Sequence, residues 1–244
     1  MPPSTAGATR SAPPISAPAC RRGRHHRACL RRGLPLPSVI VADATGVPAM
    51  TIIYTAASQH LPENKMRLYP TKVINIIGGP GCDKSLFSSA IVLSLNLRNK
   101  TVETIPDFAK SLVWQQDFEA LKNQYQIAQR QFEMMQLLDG QVQYLVTECS
   151  LPQLLYYNEQ YEDNICDIAK TRIRILEWYK QTDNINVMVE RGDKRYIHTG
   201  RFQDEEQAIG VDRALRLILK REGIPFTTLP PEIDAINAFA ATLT

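Results

Sequence analysis

No stretch of the 244 residues stays apolar for the ~20 residues that a membrane-spanning helix needs, so no membrane partner is expected. Cysteine is scarce: five residues, odd in number and scattered, which excludes a disulfide framework and points to a reducing compartment, the cytoplasm. Lysine is missing from residues 1–49, and acid is nearly so, with Asp43 alone against seven arginines. That region also holds eight of the sixteen prolines, a composition that cannot bury enough apolar surface to fold by itself. Internal repeats are absent, which excludes a solenoid.

The net charge of +3 conceals two different parts. Residues 1–49 carry +6 and the remainder −3, so the body of the chain is slightly acidic and its overall basicity is no footprint of a nucleic-acid surface. Three readings compete for the Arg-rich start: an organelle transit peptide, a basic nucleic-acid arm, or sequence outside the working protein, with Met50 or Met66 as the natural start. Cys20, His25, His26 and Cys29 match no standard zinc spacing. Residues 1–69 are therefore expected to be a disordered tail and lead-in, and residues 70–244 a single domain.

That domain is organised around KVINIIGGPGCDKS, Lys72 to Ser85. Val73 to Ile77 is a short β-branched run that reads as a buried strand. Gly78, Gly79, Pro80 and Gly81 break regular structure, and Lys84-Ser85 open an apolar segment long enough for a helix. A strand, a Gly-rich loop, Lys-Ser and a helix make up the phosphate-cradling P-loop arrangement. Successive loop amides form an anion nest, and the helix N-terminus adds its positive end. On this reading Gly78, Gly79, Gly81, Cys82, Asp83, Lys84 and Ser85 bind the nucleotide. Lys84 meets the β- and γ-phosphates of ATP, and the Ser85 hydroxyl meets Mg2+. Asp83 stands where the pattern has glycine. A carboxylate lacks glycine's backbone freedom, and like charges at ~4 Å repel by ~4 kcal/mol at an effective dielectric of about 20. The dinucleotide pattern G-x-G-x-x-G fits worse, because Lys84 falls where its third glycine belongs.

Further strands are expected at 101–104, 144–147, 185–189 and 225–229, and helices at 107–118, 121–138, 165–180, 204–222 and 232–243. Asp107 can cap the helix after Pro106, and Gln124, Arg130 and Gln131 either reach a ligand or form a solvated helix face. Glu148 follows the third strand, where it orients Mg2+, accepts a proton or caps the next turn. Arg191, Lys194, Arg195 and Arg201 lie in a Gly-containing segment that either closes over phosphates or is a solvated loop. The alternation of strands and helices predicts an α/β fold, a five-stranded parallel sheet with helices on both faces.

From Lys72 to Leu243 the chain resembles the small P-loop ATPases and kinases common in bacteriophages, which are similar to the nicotinamide-riboside kinase branch of nucleoside and nucleotide kinases. The segments that carry the resemblance are VINIIGGPGCDKS, DFAKSLVW, the Gln-rich helix, YLVTECSL and GRFQDEEQA with the later GIPF. It implies ATP with Mg2+ and phosphoryl transfer to a hydroxyl of a nucleoside, nucleotide or modified pyrimidine. It also implies that Lys84 and Ser85 contact phosphate and metal, that Glu148 joins the metal site, that Asp107 and Glu148 supply the acid–base chemistry, and that Arg191 and Arg201 belong to a lid. Asp107 falls where that family commonly has glutamate, Glu148 where it has aspartate, and Leu86 where it has a second hydroxyl residue. A nucleotide-binding protein without turnover and a P-loop ATPase without a small-molecule acceptor are the alternatives.

Overall fold

The β-branched run after Thr71 forms β1 (Lys72–Ile77), in which every residue beyond Lys72 is buried. The structure, a computed structural model, describes residues 66–193, 196–197 and 203–243. Residues 1–65 of the expected tail and lead-in, together with Lys194, Arg195 and Arg201, lie outside the described residues, whereas Leu68 and Tyr69, expected to be disordered, donate to the Gly140 carbonyl. After β1 come α1 (Lys84–Leu97), β2 (Val102–Ile105), α2 (Phe108–Gln115), α3 (Phe118–Leu121), α4 (Gln124–Leu138) and β3 (Tyr144–Thr147). Then follow α5 (Leu151–Gln160), α6 (Ile168–Tyr179), β4 (Asp183–Val189), α7 (Glu205–Arg221), β5 (Thr227–Leu229) and α8 (Ile233–Thr242).

The five strands form one sheet in the order β2-β3-β1-β4-β5, and every neighbouring pair is parallel. This is the expected α/β architecture. Alternation along β1 divides the core in two. Val73 and Ile77, with Leu145, Ile105 and Met188, face a cluster that includes residues of α4, α5, α6 and α7. Ile74 and Ile76, with Val146 and Val187, face Phe87, Ile91 and Leu95 of α1 and Ile236 of α8. Burying those three α1 side chains, spaced four residues apart, contributes on the order of 2 kcal/mol each. That packing fixes the helix whose first turn bears Lys84 and Ser85.

Two departures from the expected elements have local causes. One helix was expected between the third and fourth strands; there are two, α5 and α6. The helix expected over 107–118 stops at Gln115, because Gln116 takes left-handed angles (φ 58°, ψ 26°). Expected ends elsewhere differ by one to three residues, as for α6, which begins at Ile168 because the Asp167 side chain accepts from the Lys170 amide.

Candidate functional site

Consecutive helices show which amides are already satisfied. Side chains of Asp107, Asp117, Asn123, Ser150, Asp167 and Asp204 cap α2 through α7. The residue before α1, Asp83, makes no such cap. The amides of Gly81, Cys82, Lys84 and Ser85 donate to no protein group among the described residues. The first turn of α1 therefore opens the positive end of its dipole to whatever lies in front of it.

Asp83 adopts φ 59° and ψ 30°, in the left-handed region that glycine enters most readily. Aspartate is one of the few side chains that visit this region at modest cost. Gly81 also needs its identity: φ is +79°, and a Cβ there would stand 2.6 Å from the Tyr196 ring.

The loop is braced from α7. The Asp212 carboxylate accepts from the Gly79 amide at 2.6 Å and from Arg191 Nε at 2.8 Å. Arg191 in turn donates to the carbonyls of Pro80 (2.9 Å) and Ala208 (3.3 Å). A Cβ on Gly79 would fall 2.6 Å from the Ala208 carbonyl oxygen, so this approach requires glycine. On the other side Gly78 donates to Gln153 Oε1 at 3.2 Å. Lys84 Nζ donates to the Gly78 and Gly79 carbonyls at 2.8 and 3.0 Å.

A cleft of about 300 Å3 lies in front of this loop. Asp83, Lys84, Ser85, Asp107, Lys110 and Glu148 contribute its charged and hydroxyl groups, and Val113, Trp114, Leu121, Leu154 and Tyr157 much of its apolar wall. At the end of β3, Glu148 accepts a 2.5 Å hydrogen bond from the Ser85 hydroxyl. The turn is capped by Ser150, which leaves Glu148 out of that role. Asp107, at the end of β2, caps α2 through the Lys110 amide at 2.9 Å. Gln131 ties the two strand ends: its Nε2 donates to Thr147 Oγ1 (3.1 Å) and the Pro106 carbonyl (3.3 Å).

Of the expected site residues, Gly81, Asp83, Lys84, Ser85, Asp107 and Glu148 all line the cleft. Gly78 and Gly79 form the back of the loop, and Cys82 is buried beneath it. Arg191 is beside the loop, engaged with Asp212. Gln124 and Gln131 are buried rather than part of a solvated face, whereas Arg130 is exposed and pairs with Glu133. Burial pushes the Cys82 thiol above its ordinary value, and Lys84 opposes the shift. Burial, then the neighbouring Asp107, pushes the Cys149 thiol well up. The Tyr157 phenol is also raised, by burial first and Asp107 second, so it stays protonated at neutral pH.

Sequence reasoning missed Asp212, Gln153, Trp114 and Tyr157. Gln153 carried a signal: Ser150-x-x-Gln153 with Pro152 between is the start pattern of a helix, here α5. Asp212, an acid in mid-helix, carried none. No family model matches the chain, and no curated protein does.

Proposed function

We propose that this chain binds Mg-ATP in the cleft and transfers its γ-phosphoryl group to a hydroxyl of a nucleoside, nucleotide or modified pyrimidine. The observation that carries the reading is the open first turn of α1, with unengaged amides, at a left-handed Asp83, facing a cleft that also holds Lys84, Ser85 and Glu148. Amides in that arrangement suit phosphate oxygens.

The donors of the cleft suit a divalent cation. Two lysines and three carboxylates line the cleft, leaving one excess negative charge. A tetra-anion alone is a poor ligand there; its magnesium complex is a better one. Mg2+ takes few protein ligands and favours hydroxyl and carboxylate oxygen. Ser85 and Glu148, already in contact, fit that preference and would hold the ion. Bound there, Mg2+ would neutralise phosphate charge.

The chain's own groups supply the rest. Lys84 exchanges its two loop carbonyls for phosphate oxygens. Asp107, which lines the cleft, takes the proton of the attacking hydroxyl. The new bond joins the acceptor oxygen to the γ-phosphorus, the bond from that phosphorus to its β,γ-bridging oxygen breaks, and ADP leaves. Arg191 holds the loop through the Pro80 carbonyl rather than by reaching the cleft directly. Arg201 is assigned to the lid by the resemblance alone.

A second reading, nucleotide binding without turnover, is favoured by two facts. The Gly78 and Gly79 amides are already occupied by Gln153 and Asp212, and Asp83 lines the cleft. Calorimetric titration of Mg-ATP into the native chain, Lys84→Ala and Asp83→Gly tests the binding, and label transfer to a panel of nucleosides tests turnover. Micromolar binding by the native chain is expected, with Lys84→Ala weaker by ~30-fold, the value of a lost charged hydrogen bond. A unit charge ~6 Å from phosphate at an effective dielectric of ~40 is worth ~1.4 kcal/mol, so Asp83→Gly should bind about tenfold tighter. Absence of binding in all three chains overturns the proposal. Binding without transfer to any acceptor selects the second reading.

A further inference from the structure

Two carboxamides in the cleft are nine-tenths buried and half used. Gln124 is 4 % exposed, and its Nε2 donates to the Leu121 carbonyl at 2.8 Å. Gln153 is 3 % exposed, and its Oε1 accepts from the Gly78 amide. Both backbone partners dictate which end of the carboxamide is nitrogen and which is oxygen, since a carbonyl can only accept and an amide can only donate. What remains is therefore chemically defined. Gln124 presents an unengaged acceptor, Oε1, and Gln153 an unengaged donor, Nε2, with no partner for either among the described residues. Among the described residues the only buried side-chain polar atom without a partner is Asn75 Oδ1, so these two free ends keep solvent access, and both residues line the same cleft. One aromatic side chain there is anomalous as well. Trp114 lines the cleft while 60 % exposed, which places an indole at its mouth. An exposed indole offers a face on which a planar ring can stack.

We propose that Gln124 and Gln153 read a planar heterocycle with a hydrogen-bond donor adjacent to an acceptor, the lactam edge of a pyrimidine, while Trp114 covers its face. The proposal rests on the reading of this cleft as the seat of a phosphoryl acceptor, and it names the chemistry that selects the acceptor. The ring's N–H donates to Gln124 Oε1, and its carbonyl accepts from Gln153 Nε2. The apolar wall of Val113, Leu121 and Leu154 accepts the ring's body. A cleft of about 300 Å3 lies at the lower end of the size range for small-molecule sites and suits a single-ring base.

Uridine and N3-methyluridine are the probes, titrated into the full chain without ATP and followed by tryptophan emission. The chain has two tryptophans, and Trp178 is buried. Trp114→Phe identifies the source of the signal. Uridine should change the emission, and N3-methyluridine, which lacks the ring donor, should bind at least about tenfold more weakly. Gln124→Met should weaken uridine by a similar factor and leave N3-methyluridine unchanged, because the lost oxygen and the lost N–H form one bond. A merely structural role for Gln124 would weaken both alike. If the variant does not fold, the comparison of the two nucleosides on the native chain decides. Equal affinity for both, or no binding of uridine, overturns the proposal. If Mg-ATP binds and uridine does not, edge recognition fails alone. If uridine binds and Mg-ATP does not, edge recognition stands and the kinase reading fails.

Discussion

Replacing Asp212 by alanine removes the carboxylate that joins α7 to the glycine-rich loop before α1. It leaves the Gly79 amide and the Arg191 guanidinium without their acceptor, at 2.6 and 2.8 Å respectively. The Asp212 and Arg191 side chains are only 16 % and 18 % exposed, so water replaces these bonds incompletely. Hydrogen bonds to charged groups contribute ~1.5–3 kcal/mol each, and the lower value applies to a partly wetted site. Two such bonds give a loss of about 3 kcal/mol. For a domain of this size that lowers the melting temperature by ~6–12 °C. Asp212→Asn keeps an oxygen for Gly79 and loses the ion pair, and should cost about half as much. Urea unfolding of Asp212→Ala, Arg191→Ala and the double variant measures the coupling. The pair should be non-additive by about 1–2 kcal/mol, since each single change already breaks the shared bond. Additivity within ~0.3 kcal/mol, or a loss below ~0.5 kcal/mol for Asp212→Ala, would refute the bracing argument.

Two further outcomes follow from charge and burial. Burial opposes ionisation of Glu222, but hydrogen bonds from Arg172 and Arg221 outweigh it and hold the carboxyl below its ordinary value of 4.5. A depressed folded value means that this contribution is fully present above the unfolded value and is lost as the pH falls through the folded one. Glu222→Gln should therefore cost ~1–2 kcal/mol at pH 7, discounted for the exposure of both arginines, and the gap should narrow in urea titrations as the pH falls below 4.5 and through the folded value; a gap that is the same at neutral pH and at the acid end of the titration contradicts the assignment. Among the described cysteines, Cys82 and Cys149 are buried with raised thiol values, and Cys166 is partly exposed. Thiol labelling read by peptide mass should reach Cys166 first and the other two only on unfolding; early labelling of Cys82 would show that the loop opens in the native state.

The sheet was legible because its central strands are short, apolar and β-branched, and because Gly, Pro and Asp punctuate them. Ile74, Ile76, Val146 and Val187 read as buried strand residues and are. The edge was harder. Only Thr227 to Leu229 pair in β5, against the 225–229 expected, since Pro225 has no amide to give the ladder. The helix α5 was overlooked because its ten residues offer too few turns for a periodic stripe, although its capping residues announced it. The places of Glu148 and Asp107 beside the cleft were legible, because strand ends in a parallel sheet gather at one edge. The contacts of Gln153 and Asp212 with the loop were not, because each depends on a backbone group supplied by a different segment. A carboxamide in a sequence gives no sign of which of its ends the fold has consumed.

The same reasoning bears on Asp83. Read as a letter, an aspartate before Lys84 looks like damage to a phosphate loop. Its backbone angles, φ 59° and ψ 30°, lie where glycine is most at home, so under the proposed reading the exchange changes charge rather than backbone path. The charge falls in a cleft that already holds Asp107 and Glu148 against two lysines. If the cleft takes a polyphosphate as proposed, that balance favours one carrying a divalent cation over the free form. If Asp83 acts only as a repulsive charge, the tightening in Asp83→Gly should be larger for free ATP than for Mg-ATP, because the complex carries less negative charge to repel. A tightening of equal size for the two ligands would mean that the aspartate acts through the loop's conformation instead, and the left-handed geometry would then be the property to vary next.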